Sequence, residues 1–229
     1  MEVFARETRG FPALEDALRA SEATYGKITP MSPLLGNHDK ERFMAVADGD
    51  LPDPEEPDAE EVGWRRPPEV DDPASYDKLK LAMTFLLAID GVPMIYYGDE
   101  VGMTGAGDPD NRRMMLSEEE LSPEQVAVRD HFSRLAKGRA ANPALALGSR
   151  RPLVVEGNHY AFVRAHLDNR AVVLFNRSDR PRRFELDLSP EIGDAELVGL
   201  LGGRSLTVRG GSAVVTVPAR SSEVFVGQG

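Results

Sequence analysis

The hydrophobic period of this sequence changes once, near residue 145, and that change constrains the fold more than any other feature. Before it, apolar runs alternate with helical stretches; after it, β-branched and aromatic residues recur as they do in strands. Asp168-Asn169 lies between the first two of these later segments as a predicted hairpin turn. The sequence therefore predicts two domains, 1–145 and 146–229, the second being a small antiparallel β-sandwich. Its predicted strands lie in HYAFVRAHL, RAVVLFNRS, RRFELDLS, SAVVTVPA and SEVFVGQ.

The part before residue 145 has the order strand, polar cluster, loop, helix, strand, polar cluster. ITPMSPLLG predicts an extended segment, and ASYDKLKLAMTFLLAID predicts a largely buried helix after an Asp72 N-cap. VPMIYY predicts a short strand covered on both faces. α/β barrels place their functional groups at the carboxyl ends of parallel strands, so the polar residues that follow each strand are candidates for function.

Two further helices are predicted in this part. One covers residues 11–25 with Leu14, Ala17 and Leu18 on its apolar face, and Gly26 as its C-cap. The other covers residues 122–139.

The segment 48–72 differs sharply from its surroundings. It holds 11 acidic residues, five prolines and the single tryptophan of the chain. Such a composition cannot form a core and predicts a solvated loop or a functional lid. Its carboxylates lack a recognisable calcium-ligand spacing, so no metal is assigned to it.

The overall composition excludes several classes of function. A net charge of −11 argues against nucleic acid as a partner, because phosphate binding needs a basic face. No apolar run is long enough to predict a membrane-spanning helix. MEVFARETRG does not have the build of a signal peptide, and the compartment stays unassigned. The absence of cysteine excludes disulfides and thiolate metal sites.

Three ordered motifs, LLGNHDKERF, GVPMIYYGDEVGM and GDPDNRRMM, resemble the α-amylase family, glycoside hydrolase family 13. They match the seventh strand, the eighth strand and the following loop of that family, and the resemblance extends from about Phe11 to the end of the chain. It implies an α/β fold: the C-terminal portion of a (β/α)8 barrel, followed by a small all-β antiparallel sandwich. It also implies an α-glucan or maltooligosaccharide as substrate, with no cofactor visible in the motifs. Calcium is bound by members of this family largely through residues outside these motifs.

The Asn-His-Asp motif holds the one catalytic candidate. Asp39 matches the family's third carboxylate, which stabilises the positive charge that grows at the anomeric carbon in the transition state. His38 matches a neighbour that hydrogen-bonds hydroxyls of the same sugar, and Asn37 is included as a substrate-binding candidate that is more suited to bracing the turn. Taken singly, a histidine of this kind is more often a satisfied polar residue, and the aspartate could cap the next helix.

Three further residues are assigned to substrate binding. Asp108 and Arg112 match residues that hold the next sugar toward the non-reducing end; taken without the resemblance, the two could form a plain surface ion pair. Arg42 either reaches the site or pairs with an acidic residue of the loop.

Retaining hydrolysis also requires a nucleophilic carboxylate and a proton donor, about 5–5.5 Å apart. In the family these lie on the fourth and fifth strands, and only 36 residues precede Asn37 here. Each βαβ crossover takes about 30 residues, so Glu2 and Glu7 are too close in sequence to Asp39 to supply the acid.

The sequence therefore predicts the C-terminal part of a retaining α-glucan-acting hydrolase or transglycosylase that is inactive alone. The alternative is a non-catalytic relative that binds carbohydrate or serves as an interaction domain. The intact motifs argue against that alternative, since a purely structural relative need not retain them.

Overall fold

The computed structural model describes residues 1–26, 29–51 and 59–227 of the chain. The α-helices within these residues are α1 (Phe11–Tyr25), α2 (Phe43–Ala47), α3 (Ala59–Arg65), α4 (Ser75–Ala88), α5 (Pro123–Ala141) and α6 (Pro143–Leu147). The β-strands are β1 (Ser149–Val155), β2 (His159–His166), β3 (Asn169–Asn176), β4 (Arg182–Asp187), β5 (Ala195–Gly199), β6 (Ser205–Val208), β7 (Ser212–Val217) and β8 (Ser221–Gly227).

The chain forms two compact units. The first unit comprises Met1–Arg9, Ser32–Leu86 and Pro93–Phe132, and the second comprises Gly10–Met31, Leu87–Val92 and Ser133–Gly229. The division into domains at residue 145 stays a prediction.

The second unit contains a β-sandwich. A six-stranded sheet of order β1-β2-β3-β8-β5-β6 and a two-stranded sheet, β4-β7, are antiparallel throughout. The two-stranded sheet faces the larger one through alternating residues such as Phe184 and Leu186, while Glu185 and Asp187 face outward. The predicted antiparallel sandwich is therefore confirmed. Its shared core holds Ala161, Val163, Val172, Leu174, Phe184, Leu186, Leu188, Ile192, Leu197, Leu206, Val208, Ala213, Val217 and Phe225.

The predicted strands of the sandwich correspond to β2, β3, β4, β7 and β8. Strands β1, β5 and β6 were not predicted. The register between β2 and β3 pairs His166 with Asn169, so the hairpin turn lies at Leu167-Asp168, one residue earlier than expected.

Helix α1 has the predicted bounds, and Gly26 ends it with a φ of 68° and a hydrogen bond from its N–H to Glu22 O. Its predicted apolar face is wrong. The buried residues of this helix are Phe11 and Glu15, which lie on one side four residues apart. Phe11 stacks on Tyr160 of β2 with ring centroids 5.4 Å apart, so aromatic packing fixes the helix on the sheet.

Glu15 is buried because three donors surround its carboxylate. Tyr160 donates its hydroxyl to Oε2 over 2.6 Å, Arg150 donates Nη1 to the same oxygen over 2.6 Å, and Arg19 donates Nε to Oε1 over 2.8 Å. A buried carboxylate is tolerated when charged and polar partners satisfy it in this way. The buried side of the helix is thus held by an ion pair as well as by aromatic packing.

The first unit contains residues 32–36 and 93–97 of the two extended segments that were predicted as strands. They form a single parallel bridge between Leu34 and Met94, with Met94 N–H donating to Pro33 O over 2.9 Å. The parallel direction agrees with a βαβ arrangement, but the expected burial of VPMIYY is wrong. Met94 is 38% exposed and Tyr97 is 38% exposed, which leaves apolar side chains of this segment open to solvent.

The two long helices after residue 70 are confirmed. Helix α4 begins at Ser75, two residues after the predicted first position, and Asp72 instead caps the preceding turn by accepting from Ala74 N–H over 2.9 Å. Its residues Leu79, Leu81, Ala82, Met83 and Leu86 are buried, as expected for a helix that is apolar on nearly every side. Helix α5 begins after Ser122, whose hydroxyl accepts from Gln125 N–H.

The acidic segment is only partly a loop. Residues 52–58 lie outside the described part of the chain, and Ala59–Arg65 form helix α3 where a loop was predicted. Glu60 and Glu61 in the first turn and Arg65 in the last turn complement the helix dipole. Near the base of the segment, Asp48 accepts backbone N–H groups of residues 71 and 72 over 2.8 and 3.1 Å.

Candidate functional site

The Asn-His-Asp motif forms a tight turn at the end of the first extended segment. Asn37 Oδ1 accepts the N–H of Asp39 over 2.9 Å, an Asx-turn that suits its expected bracing function. His38 Nε2 lies 3.2 Å from Asp39 Oδ1, and the two side chains are 65% and 67% exposed. The turn therefore presents an imidazole and a carboxylate together to solvent.

The second pair of predicted residues lies against this turn. Arg112 Nη2 forms an ion pair with Asp108 Oδ2 over 2.8 Å, and both side chains are about half exposed. The same guanidinium donates from Nε and Nη2 to His38 O over 3.3 and 3.2 Å. Arg112 thus joins Asp108 to the His38 backbone and brings four predicted residues into one exposed group.

Arg42 lies beneath this group and is not exposed. Its guanidinium donates from Nη1 to Tyr97 O over 2.7 Å and from Nε to Asn111 O over 2.9 Å. It also lies over the rings of Tyr96 and Tyr97, 4.6 and 4.8 Å from their centroids. The side chain is 0% exposed, so in this structure it holds loops and is closed off from solvent.

Asn111 is a residue that sequence reasoning missed. It is fully buried and donates Nδ2 to His38 O and Lys40 O, each over 2.9 Å. Together with Arg42, it ties the loop of Asp108 to the Asn-His-Asp turn. Its neighbours in the motif DPDNR are mostly charged, and an amide among them gives no sequence signal of burial.

Residues 11–142 match the family model described as "Alpha amylase, catalytic domain". The chain belongs to the α-amylase family. The predicted resemblance is therefore confirmed for glycoside hydrolase family 13, whose members act on glycosidic bonds.

Relatives of this α-amylase-family chain agree in sequence and in fold. A cyclomaltodextrin glucanotransferase of Bacillus licheniformis is 31% identical over 214 residues, which cover 92% of this chain and 26% of the relative. The α-amylase of Geobacillus thermoleovorans in complex with acarbose has a TM-score of 0.76 at 23% identity, with 99% of this chain and 46% of that chain covered. AmyP in complex with maltose has a TM-score of 0.76 at 23% identity, with 98% and 47% covered.

These alignments confirm the predicted fold class, the C-terminal portion of a (β/α)8 barrel followed by a small antiparallel sandwich. They also show how much of each relative this chain covers. It spans about a quarter of the length of the glucanotransferase and less than half of each solved relative.

The net charge of the buried pair Arg42 and Asp99 depends on whether Asp99 is ionised. Burial raises the pKa of Asp99 to about 7, although Arg42 Nη1 lies 3.4 Å from Asp99 Oδ1 and acts in the opposite direction. The carboxyl group is 5% exposed. Near neutral pH this α-amylase-family chain therefore holds a buried arginine beside an acid that is close to its titration midpoint.

Among the residues that the structure describes, no group of three or more His, Asp or Glu side chains is arranged to hold a metal ion. Within the same ranges, no helix is long and apolar enough to cross a membrane.

Proposed function

We propose that this chain is the C-terminal part of a retaining α-glucan-acting enzyme, in which it supplies the transition-state-stabilising carboxylate and the sugar-binding residues. The observation that carries this proposal is the exposed group formed by His38, Asp39, Asp108 and Arg112. The buried side chains of Arg42 and Asn111 hold the loops that carry this group. Preorganised polar groups bind a polyhydroxylated ligand at lower entropic cost than mobile ones.

The chemistry of each group suits one task. The carboxylate of Asp39 stabilises positive charge at the anomeric carbon as the glycosidic bond lengthens. His38 donates or accepts hydrogen bonds with hydroxyls of the same sugar. In the pair Asp108–Arg112, the carboxylate accepts and the guanidinium donates, so two neighbouring hydroxyls of the next sugar are both satisfied.

The nucleophile and the proton donor are proposed to come from another part of the enzyme. Glu2 does not suit the acid role, because it accepts hydrogen bonds from Arg6 and Thr8. The hydrogen bond from Thr8 lowers the pKa of Glu2, whereas a general acid needs a raised pKa. The coverage of a quarter of the glucanotransferase leaves ample length for the fourth and fifth strands elsewhere.

The first prediction concerns catalysis. We expect the purified chain to release no reducing sugar from soluble starch or maltoheptaose, with Asp39→Asn assayed beside it. Without the nucleophilic and the proton-donating carboxylates, the transition state loses both covalent and acid assistance. Release by the wild-type chain that disappears in Asp39→Asn would show that the site is complete here, and the proposal would be wrong.

The second prediction concerns binding. We expect Asp108→Asn to weaken binding of maltoheptaose by about tenfold, because the variant cannot hold Arg112 and accept from the sugar as a carboxylate does. Isothermal titration calorimetry measures the affinity. The matched control is Asp179→Asn, which removes an exposed carboxylate paired with Arg220 over 2.7 Å in the second unit. Equal loss in both variants, or no binding by the wild type, would contradict the proposal.

A further inference from the structure

We infer that Trp64 on helix α3 is a stacking platform for a sugar ring of the bound α-glucan, beyond the sugars held by His38 and Asp108. The inference rests on the proposed function and assigns a binding residue outside the three recognised motifs. It starts from exposure: the Trp64 side chain is 70% exposed on a helix that buries none of its residues.

Helix α3 lies directly on the loop that carries the sugar-binding pair. Gly107 N–H donates to Ala59 O over 2.9 Å. A Cβ atom at Gly107 would lie 2.6 Å from the backbone nitrogen of Glu60, and one at Gly63 would lie 2.8 Å from Asp110 Cβ. Glycine on both surfaces therefore permits contact that a larger side chain would block.

These contacts lie on either side of Asp108 in the sequence. Gly107 precedes Asp108 and Asp110 follows it by two positions, and each of them touches helix α3. Trp64 follows Gly63 directly in sequence. Chain geometry then places the Cα atoms of Trp64 and Asp108 within roughly 17 Å of each other, a span of a few sugar rings along an α-glucan.

The chemistry of the indole fits this ligand. A pyranose ring presents a face of C–H groups that packs on a flat aromatic surface, while its hydroxyls stay in water or meet polar side chains. Sugar sites accordingly combine an aromatic surface with a few polar groups that fix orientation. Exposed apolar residues are common singly, so the location of Trp64 on a helix that contacts the Asp108 loop is what carries the inference.

The chain offers a direct test because Trp64 is its single tryptophan. Maltoheptaose is titrated into the purified chain while tryptophan fluorescence and calorimetric heat are recorded in parallel, with cellohexaose as the comparison sugar. We expect a saturable change in fluorescence with the calorimetric affinity. We also expect Trp64→Ala to bind about tenfold more weakly, and Trp64→Phe to retain most of the affinity.

Controls separate this inference from the proposed function. Tyr25→Ala, which removes another aromatic side chain that is 51% exposed, should bind as the wild type does. Circular dichroism should show Trp64→Ala to be folded, since helix α3 buries no side chain. Wild-type affinity in Trp64→Ala, with heat but no fluorescence change in the wild type, would overturn the platform and leave the proposed function standing. No heat with maltoheptaose in the wild type would overturn both.

Discussion

Glu15→Ala is expected to lower the free energy of unfolding of the second unit by about 3–5 kcal/mol, the range seen when one partner of a buried ion pair is removed. The variant leaves Arg150, which is 9% exposed, without its carboxylate. It also leaves the hydroxyl of Tyr160 without the acceptor that it contacts at 2.6 Å. Both groups were desolvated on folding, so neither regains its interaction with water.

Three companion variants make this prediction specific. Asp16→Ala, one position along and exposed, should change the free energy of unfolding by about 0.5 kcal/mol or less. Glu15→Gln keeps an acceptor for Tyr160 and should cost less than Glu15→Ala. Arg150→Met in the Glu15→Ala background should recover part of the loss, because the uncompensated charge is gone. Urea unfolding followed by circular dichroism measures all four; a loss below 1 kcal/mol in Glu15→Ala would contradict the account.

Helix α1 also shows where sequence reasoning reached its limit. Hydrophobic period and the C-terminal glycine predicted its bounds, since both are local signals. The buried face could not be predicted in this way. Glu15 owes its burial to Arg150 and Tyr160, more than 130 residues later in the chain. No local pattern indicates that a carboxylate will meet such partners.

The strands also divide into those that the sequence predicted and those that it did not. Long segments with several β-branched or aromatic residues, such as β2 and β3, were predicted from composition and alternation. Strands β5 and β6 have five and four residues, too few for a clear period. The run VPMIYY was predicted as a buried strand because its residues are apolar, yet burial needs neighbouring strands, and the described chain supplies one bridge.

The candidate site was predictable where its residues are exposed and belong to motifs. His38, Asp39, Asp108 and Arg112 lie together as the order of the motifs indicated. The burial of the residues that support the site was not predictable. Asn111 is polar, and its burial depends on carbonyl groups about 70 positions earlier. Helix α3 was missed for another reason, since acidic residues and prolines hide a short helix whose position depends on contact with Gly107.

Arg42→Met is the second variant with a large expected effect, about 3 kcal/mol lost from the free energy of unfolding of the first unit. The substitution keeps a long apolar stem but removes the donors to Tyr97 O and Asn111 O. A loss of stability distinguishes a residue that positions the loops from one that binds substrate directly. If Arg42 instead bound substrate directly, the variant would lose affinity for maltoheptaose while unfolding as the wild type does.

The pH dependence of this loss follows from Asp99. Its pKa is 3.8 in a model compound and about 7 in the folded chain, so its contribution to stability is greatest at low pH and falls as the pH rises toward 7. In the wild type, the contribution of Asp99 to the free energy of unfolding stops falling above about pH 7. Without the Arg42 cation the folded pKa rises further, and the fall continues above pH 7 by about 1.4 kcal/mol per pH unit.

The difference between Arg42→Met and the wild type should therefore be larger at about pH 8.5 than at about pH 6, by about 2 kcal/mol. Urea unfolding at both pH values measures it. Adding Asp99→Asn to the variant removes the titrating group and should abolish this additional pH dependence. A gap that is the same at both pH values would mean that Asp99 does not depend on Arg42 for its ionisation. The two residues would then hold the loops independently, through their hydrogen bonds alone.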